Sequence, residues 1–202
     1  MNEPAHLYFD TETSDYYEDT APALPVEIAF LLERGDRILA VFSTILDQAG
    51  WHEIRWNPIA QRVIDKHGVD EPMSRRYGLA PEVVLNIFRK VTSVADVVVG
   101  HNISFDLKVI DWAFSVQRLP PLVWPEAKFC TMRESAGMVG IPSGGRYAIN
   151  GYKAPKLEEA YRHFTGRELG NAAHRAMGDV YATRAVHRHI LLARARAREQ
   201  QT

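Results

Sequence analysis

The sequence has little cysteine and no long apolar run. Its single cysteine, Cys130, cannot form an internal disulfide, which excludes a small disulfide-stapled scaffold. Its apolar runs, such as residues 97–99, are far shorter than the roughly 20 residues that a membrane span needs. Residues 1–4 carry neither a basic region nor an apolar stretch, so no signal peptide is expected. These absences predict a cytoplasmic protein that does not associate with membranes.

An excess of positive charge is also missing, because the formal net charge is −1. This balance argues against a protein that coats DNA by neutralising phosphates. It is compatible with an enzyme whose bound metal ions supply positive charge locally. With 202 residues, 46% of them hydrophobic, the chain is predicted to be one domain over residues 1–202. Its core is expected at about residues 6–190, followed by a short basic C-terminal tail.

Short apolar stretches alternate with segments of helical periodicity, which indicates an α/β protein. A Gly-Asp pair at 35–36 separates the second and third of these stretches and predicts a hairpin, hence an antiparallel member of the sheet. Strands are predicted at residues 6–10, 26–33, 37–47, 96–100 and 128–132. Helices are predicted at residues 58–66, 74–77, 81–92, 105–117, 156–165 and 176–198, and residues 14–25 are predicted to be a loop.

Asp10 and Glu12 lie at the end of the first predicted strand. Because side chains alternate along a strand, these two carboxylates point the same way and Thr11 points to the other face. Two close carboxylates repel each other unless a cation lies between them, and oxygen ligands of this kind suit Mg²⁺ or Mn²⁺. An ordinary solvated Asp-x-Glu at a strand end is the alternative for this pair taken alone.

A second polar string, Gly-His-Asn-Ile-Ser-Phe-Asp at 100–106, begins where the predicted strand at 96–100 ends. If the two strands are parallel neighbours, Asp106 lies in the first turn of the next helix and close to the first pair. Ligands of open α/β sheets collect at this edge. A simple helix start, capped by Asn102 or Ser104, would explain one polar residue here but not the whole string.

The third string is His-Arg-Ala-Met-Gly-Asp at 174–179, at the start of the last predicted helix. It would put a carboxylate, Asp179, on a rigid helix and an imidazole, His174, just before it. Histidine is the natural general base near neutral pH. A His followed five residues later by Asp is weak evidence when taken alone.

In the order Asp-x-Glu, Asp, His-x4-Asp, these strings resemble the DEDDh branch of the DnaQ-like 3′–5′ exonucleases, the family of the proofreading subunit of bacterial replicative polymerase. The matching strings are Phe-Asp-Thr-Glu-Thr at 9–13, the one at 100–106 and the one at 174–179. Weaker similarities fall at Lys-His-Gly-Val, 66–69, and Pro-Lys-Leu-Glu-Glu-Ala, 155–160. The resemblance covers about residues 6–190 and implies an RNase H-like α/β fold, a five-stranded mixed sheet flanked by helices.

The resemblance implies a 3′–5′ exonuclease that releases nucleoside 5′-monophosphates from single-stranded or frayed DNA by two-metal-ion hydrolysis with Mg²⁺ or Mn²⁺. It implies Asp10, Glu12, Asp106 and Asp179 as metal ligands and His174 as the general base. Substrate contacts are expected from backbone amides near Thr11 and Glu12, which would seat the 3′-hydroxyl, and from further residues of the matching strings. The full set of expected substrate contacts is Thr11, Glu12, Thr13, His101, Asn102 and Phe105.

Two alternatives stay open at this point. The same five residues also serve exoribonucleases that degrade short RNA, although the Asp-x-Glu-Thr and Pro-Lys-Leu-Glu-Glu strings look more like the DNA members. A non-catalytic nucleic-acid-binding module of the same fold is the second alternative. The resemblance also allows a polymerase or another replication protein as partner. The acidic stretch at 15–19 departs from the family pattern, and we expect it to shape substrate entry or repel duplex DNA.

Overall fold

Five strands form one mixed sheet in the computed structural model, which describes residues 3–15, 23–52, 59–146, 148–170 and 174–200. They are β1 (Ala5–Thr13), β2 (Pro25–Arg34), β3 (Arg37–Ile45), β4 (Val97–Gly100) and β5 (Ala127–Cys130). The strand order is β3-β2-β1-β4-β5. β1 pairs antiparallel with β2 and parallel with β4, and the outer pairs are antiparallel β2–β3 and parallel β4–β5. The predicted five-stranded mixed sheet is confirmed.

The helices of the described residues flank this sheet. They are α1 (Gln61–His67), α2 (Glu71–Tyr77), α3 (Pro81–Thr92), α4 (Ile103–Val116), α5 (Thr131–Val139), α6 (Leu157–Thr165) and α7 (Ala176–Glu199), and a 3-10 turn spans Gln48–Gly50. None of these helices combines the length and the apolar character that crossing a lipid bilayer requires.

Alternation along β1 assigns the helices to two faces of the sheet. Phe9 points to one face, where its ring lies 5.2 Å from the ring of Phe88 on α3, and Ile110 of α4 joins the same cluster. Tyr8 points to the opposite face and packs in a second cluster with Val180 of α7. Helices α3 and α4 therefore cover one face, and α7 covers the other.

A buried ion-pair cluster fastens α7 to the sheet at the end where β1 begins. Glu33 of β2 lies opposite His6 of β1, and its side chain is only 3% exposed. Its carboxylate accepts hydrogen bonds from Arg184 Nε at 2.6 Å, from Arg188 Nη2 at 3.2 Å and from the Tyr8 hydroxyl at 2.9 Å. A buried carboxylate needs such partners, because its desolvation is otherwise uncompensated.

Most elements agree with the sequence predictions. The β2–β3 hairpin turns at residues 35–36, and Gly35 adopts a left-handed φ of 59° that favours glycine there. The strand predicted at 128–132 is wrong at its end, since Thr131 and Met132 begin helix α5. That helix escaped prediction because its buried residues are mostly small or polar (Thr131, Ser135 and Ala136) and show no apolar stripe.

Two predictions fall partly or wholly outside the described residues. Of the loop predicted at 14–25, residues 16–22 are not described, and Pro25 already belongs to β2. The predicted effect of the acidic stretch at 15–19 therefore rests on sequence for all but Asp15. The helix predicted at 58–66 is described as α1 from Gln61 onward.

Truncating Phe88 is expected to destabilise the fold strongly. Its ring is fully buried on α3, so Phe88→Ala should lower the free energy of unfolding by about 3–5 kcal/mol. Val83 on the same helix is 53% exposed, and Val83→Ala should change that free energy by less than about 0.5 kcal/mol. Urea unfolding followed by circular dichroism measures both. Similar losses in the two variants would contradict the described packing of α3.

Candidate metal centre at the carboxyl ends of β1 and β4

The parallel strands β1 and β4 end at the same edge of the sheet, and five predicted site residues meet there. Asp10 and Glu12 lie near the end of β1, Asp106 in the first turn of α4, and Asp179 in the first turn of α7. His174 precedes α7. All five line one cavity of about 210 Å³. The topology thus brings together residues that are up to 169 positions apart, from Asp10 to Asp179.

Three of the carboxylates form a tight cluster. Asp10, Glu12 and Asp179 each offer one oxygen, and these oxygens all lie within 4.8 Å of one another. Asp10 and Glu12 share the face of β1 that α7 covers, as strand alternation predicts. Asp179 approaches them from the first turn of that helix.

Asp106 lies outside this three-carboxylate cluster and is hydrogen-bonded to Thr11. Its Oδ1 accepts a hydrogen bond from the Thr11 backbone N–H at 3.0 Å and another from the Thr11 hydroxyl at 2.7 Å. Thr11 points to the α4 face of the sheet, so this pair of bonds joins α4 to β1 beside the cluster. Both Thr11 donors are used within the protein, and the substrate contact expected from its amide stays a prediction.

Burial and mutual repulsion shift the carboxyl groups toward their protonated forms. Burial raises the pKa of Glu12 to about 8, and the charges of Asp179 and Glu27 add to this effect. The pKa of Asp10 lies well above its usual range, first because of burial and then because of Asp106 and Asp179. Burial likewise raises the pKa values of Asp106 and Asp179. The cavity therefore gathers carboxyl groups whose charged forms are disfavoured by burial and by one another.

The residues present fit a divalent cation. Asp179 Oδ1 is buried and has no hydrogen-bond partner among the described residues. The clustered donors are all carboxylate oxygens, the hard ligands that Mg²⁺ and Mn²⁺ prefer. A cation at this position would give the unpartnered oxygen a ligand and would relieve the repulsion among the carboxylates.

His174 lies at the rim of the cavity with its side chain half exposed. Its backbone adopts a left-handed φ of 61°, and its backbone N–H donates a hydrogen bond to the Asp179 carboxylate. The imidazole Nε2 lies 3.6 Å from Glu158 Oε1 of α6. The loop before α7 therefore contacts the first turn of that helix, and the His174 ring lies near the Glu158 carboxylate.

Residues of the string at 100–106 both stabilise the fold and line the cavity. His101 is engaged within the protein at both ring nitrogens, Nδ1 with the Thr131 hydroxyl and Nε2 with the Pro155 carbonyl, each at 2.9 Å. Asn102 is exposed, takes a left-handed φ of 61° and makes no side-chain cap to α4. Phe105 is half-buried. All three of His101, Asn102 and Phe105 line the cavity, and their substrate contacts stay predictions.

Thr13 and His67 form a further contact at the cavity. The Val69 N–H donates to His67 Nδ1 at 3.1 Å, which leaves the ring proton on Nε2 to donate to the Thr13 carbonyl at 3.2 Å. Burial lowers the pKa of His67, consistent with a neutral ring. The Thr13 hydroxyl donates to the Asp15 carbonyl at 2.7 Å. The His-Gly string at 66–69 thus fixes the end of β1.

Glu27 is the site residue that sequence reasoning missed. It is directly opposite Glu12 in the β1–β2 register, is 2% exposed, and raises the pKa values of Asp10, Glu12 and Asp179. Its signal in the sequence is one of two acidic residues that flank the apolar run of β2, the other being Glu33. That signal is weak because a Glu that flanks such a run also suits a solvated edge.

The comparisons with known proteins define the fold of this chain. It is similar to a zinc-bound complex of E. coli exonuclease I with single-stranded DNA, with a TM-score of 0.74 and 19% identity. It is also similar to E. coli exonuclease I in complex with a dA16 oligonucleotide, with a TM-score of 0.73 and 18% identity. An apo exonuclease I structure matches with a TM-score of 0.70 and 18% identity. The predicted RNase H-like fold is confirmed. No protein-family model and no curated protein matches the sequence.

The match covers nearly all of this chain but less than half of the solved ones. For the three structures it covers 95%, 95% and 93% of this chain, and 41%, 41% and 42% of the other chain. The chain therefore spans about two fifths of the length of the exonuclease I structures that it matches.

The raised pKa of Glu12 predicts an unusual pH dependence of stability. The ordinary pKa is 4.5 and the folded value is about 8, so between these values the folded state binds more protons than the unfolded chain. The contribution of Glu12 to the free energy of unfolding of the metal-free protein therefore falls as pH rises through this window. Glu12→Gln cannot titrate and should lose less stability than wild type between about pH 5 and pH 8.

Urea unfolding at both pH values, in the presence of a chelator, measures this difference. Glu82→Gln, an exposed change in the first turn of α3, serves as the control and should keep the wild-type pH dependence. Equal pH dependence of wild type and Glu12→Gln would contradict the described burial of Glu12 among carboxylates.

Proposed function

We propose that this protein is a metal-dependent 3′–5′ exonuclease that releases nucleoside 5′-monophosphates from single-stranded or frayed DNA ends. The observation that carries the proposal is the convergence of Asp10, Glu12, Asp106, Asp179 and His174 on one cavity. The likeness of the fold to exonuclease I supports the same assignment. The charge of the site supports it too. Its carboxylates can bind divalent cations, and bound cations would attract the negatively charged phosphodiester of a substrate.

Two Mg²⁺ or Mn²⁺ ions held by the four carboxylates would supply the positive charge that activates a water and stabilises the charge developing on the phosphate. Asp10 would be one of the carboxylates that hold a cation. It shares the cluster with Glu12 and Asp179, and Asp106 is a main contributor to its raised pKa. Thr11 orients Asp106 through two hydrogen bonds, so this ligand is fixed before substrate binds.

His174 accepts the proton of the attacking water in this proposal. The Glu158 carboxylate near Nε2 favours a proton at that nitrogen, which leaves the lone pair of Nδ1 as the acceptor. Water attacks the last phosphodiester in line with the leaving 3′-oxygen of the preceding nucleotide, and a nucleoside 5′-monophosphate is released.

The remaining cavity residues are candidates for binding the terminal nucleotides. Asn102 is exposed and can donate or accept hydrogen bonds, and Phe105 offers a half-buried ring for packing against a base. His101 is more suited to shaping the cavity, because both of its ring nitrogens already have partners. DNA is favoured over RNA by the resemblance in sequence and by the oligonucleotides bound to the similar exonuclease I structures.

The proposal predicts a ladder of products that shortens from the 3′ end. A single-stranded oligonucleotide labelled at its 5′ end should be degraded stepwise with Mg²⁺ or Mn²⁺, and chelation should stop the reaction. Asp10→Ala should abolish activity, because it removes a carboxylate that would hold the metal ions. His174→Gln should lower kcat by about 10²–10⁴-fold, the usual contribution of a general base.

A matched control and a second substrate complete this test. His163 is an exposed histidine of α6, and His163→Gln should retain wild-type kcat. An RNA oligonucleotide of the same sequence tests the exoribonuclease alternative, which preferential degradation of RNA would support. Products that begin with internal cuts, or activity that is insensitive to chelator, would overturn the exonuclease proposal.

A further inference from the structure

An ion pair with a buried carboxylate lies beside the candidate metal centre. Glu27 of β2 and Arg175, the residue directly before α7, are joined by two hydrogen bonds, Nε to Oε2 and Nη2 to Oε1, each 3.0 Å. The Glu27 side chain is 3% exposed, whereas that of Arg175 is 51% exposed. Two parallel bonds between a guanidinium and a carboxylate fix direction as well as distance.

This pair acts on the segment that carries two of the proposed site residues. Arg175 follows His174 directly, and Asp179 lies one turn into α7, where its backbone N–H bonds to the Arg175 carbonyl at 3.1 Å. Glu27 also lies 3.5 Å from the Ala176 backbone nitrogen. On the other side, Glu27 is directly opposite Glu12 in the strand register. The pair therefore links the start of α7 to the strand beside β1.

We propose that Glu27 and Arg175 are positioning residues of the metal centre, whose ion pair fixes the first turn of α7 against β1. This inference rests on the proposed metal-dependent activity. The pair sets the distance between the carboxylate of Asp179 and those of Asp10 and Glu12. It also sets the place of the His174 ring, because His174 is the neighbour of Arg175 in the chain.

Arg175 has a second effect, because it compensates the charge of Glu27. Without that guanidinium, Glu27 would be a further uncompensated carboxylate directly opposite Glu12 in the strand register. An uncompensated Glu27 would also be a competing ligand for a cation. The pair thus fixes the position of the first turn of α7. It also limits the ligands of a cation to the carboxylates that face the cavity.

The same strand and helix supply a control farther from the cavity. Glu33 of β2 is as buried as Glu27, and Arg184 of α7 binds it at 2.6 Å. Glu33 is opposite His6 at the start of β1, so this pair fastens the helix at the sheet edge remote from the cavity. Losing either arginine removes an ion pair with β2, although Glu33 keeps Arg188 and the Tyr8 hydroxyl as partners. Of the two arginines, Arg175 is the one beside the metal centre.

The experiment compares Arg175→Ala, Arg175→Lys and Arg184→Ala with wild type. Mn²⁺ binding is measured by isothermal titration calorimetry without substrate, together with the melting temperature and with kcat and KM on a 5′-labelled single-stranded oligodeoxynucleotide. Arg175→Ala should weaken Mn²⁺ binding by about 10–100-fold, the usual effect of losing a partner of a metal ligand. Its kcat should fall by about 10–100-fold with KM changed by less than about threefold.

Arg175→Lys keeps the charge but not the two parallel bonds, so its Mn²⁺ affinity and kcat should lie between those of Arg175→Ala and wild type. Arg184→Ala should lower the melting temperature while Mn²⁺ affinity and kcat stay at wild-type values. Wild-type Mn²⁺ affinity and kcat in Arg175→Ala would overturn the inference. Equal losses in Arg184→Ala and Arg175→Ala would also overturn it, since general destabilisation would then explain both.

The readouts keep this inference separate from the proposed function. If wild type binds Mn²⁺ but degrades no DNA, the proposed exonuclease function fails, and the Mn²⁺ affinities of the variants still test the positioning role. If wild type degrades DNA and Arg175→Ala behaves like it in both assays, the positioning role fails and the exonuclease proposal stands. If Arg175→Ala does not fold, Arg175→Lys carries the comparison with Arg184→Ala.

Discussion

Repulsion among buried carboxylates is the constraint on which this site depends. Asp10, Glu12 and Asp179 bring oxygens within 4.8 Å of one another where burial already disfavours their charged forms. Nothing in the cluster itself holds these groups together, so the surrounding fold must do so. Apolar packing on both faces of β1 supplies that force, and it makes the strand and the first turn of α7 a fixed frame for a cation.

The fold also keeps the carboxylates chemically distinct, because they come from different sides of the sheet. Strand alternation sends Asp10 and Glu12 toward α7 and sends Thr11 toward α4, where it binds Asp106. Asp106 therefore has two hydrogen-bond donors, whereas Asp179 Oδ1 has no partner among the described residues. A cation would be held most directly by the clustered oxygens, with Asp106 as a pre-oriented ligand at their side.

Sequence patterns could predict the parts of this arrangement that depend on local geometry. Alternation predicts Asp10 and Glu12 on one face, and the end of the strand at 96–100 predicts Asp106 at the same edge. Asp179 is assigned to the site only through the family resemblance. Pairing between distant segments could not be predicted in the same way. Glu27 and Arg175 are 148 positions apart, and neither stands in a pattern that indicates its partner. For the same reason the two framework bonds of His101, to Thr131 and Pro155, appear only in the folded chain.

The contacts of α7 explain why a buried ion pair is suited to the site end of the helix. Replacing a buried ion pair by apolar side chains often leaves stability unchanged or higher, so stability alone does not favour Glu27 and Arg175. Hydrophobic burial is non-directional, however, whereas a guanidinium and a carboxylate with two parallel bonds have one favoured orientation. At a site where an error of about 1 Å can cost about 10²-fold in rate, orientation is the more valuable property. The pair beside the cavity thus fixes the positions of Asp179 and His174, at the cost of desolvating the Glu27 carboxylate.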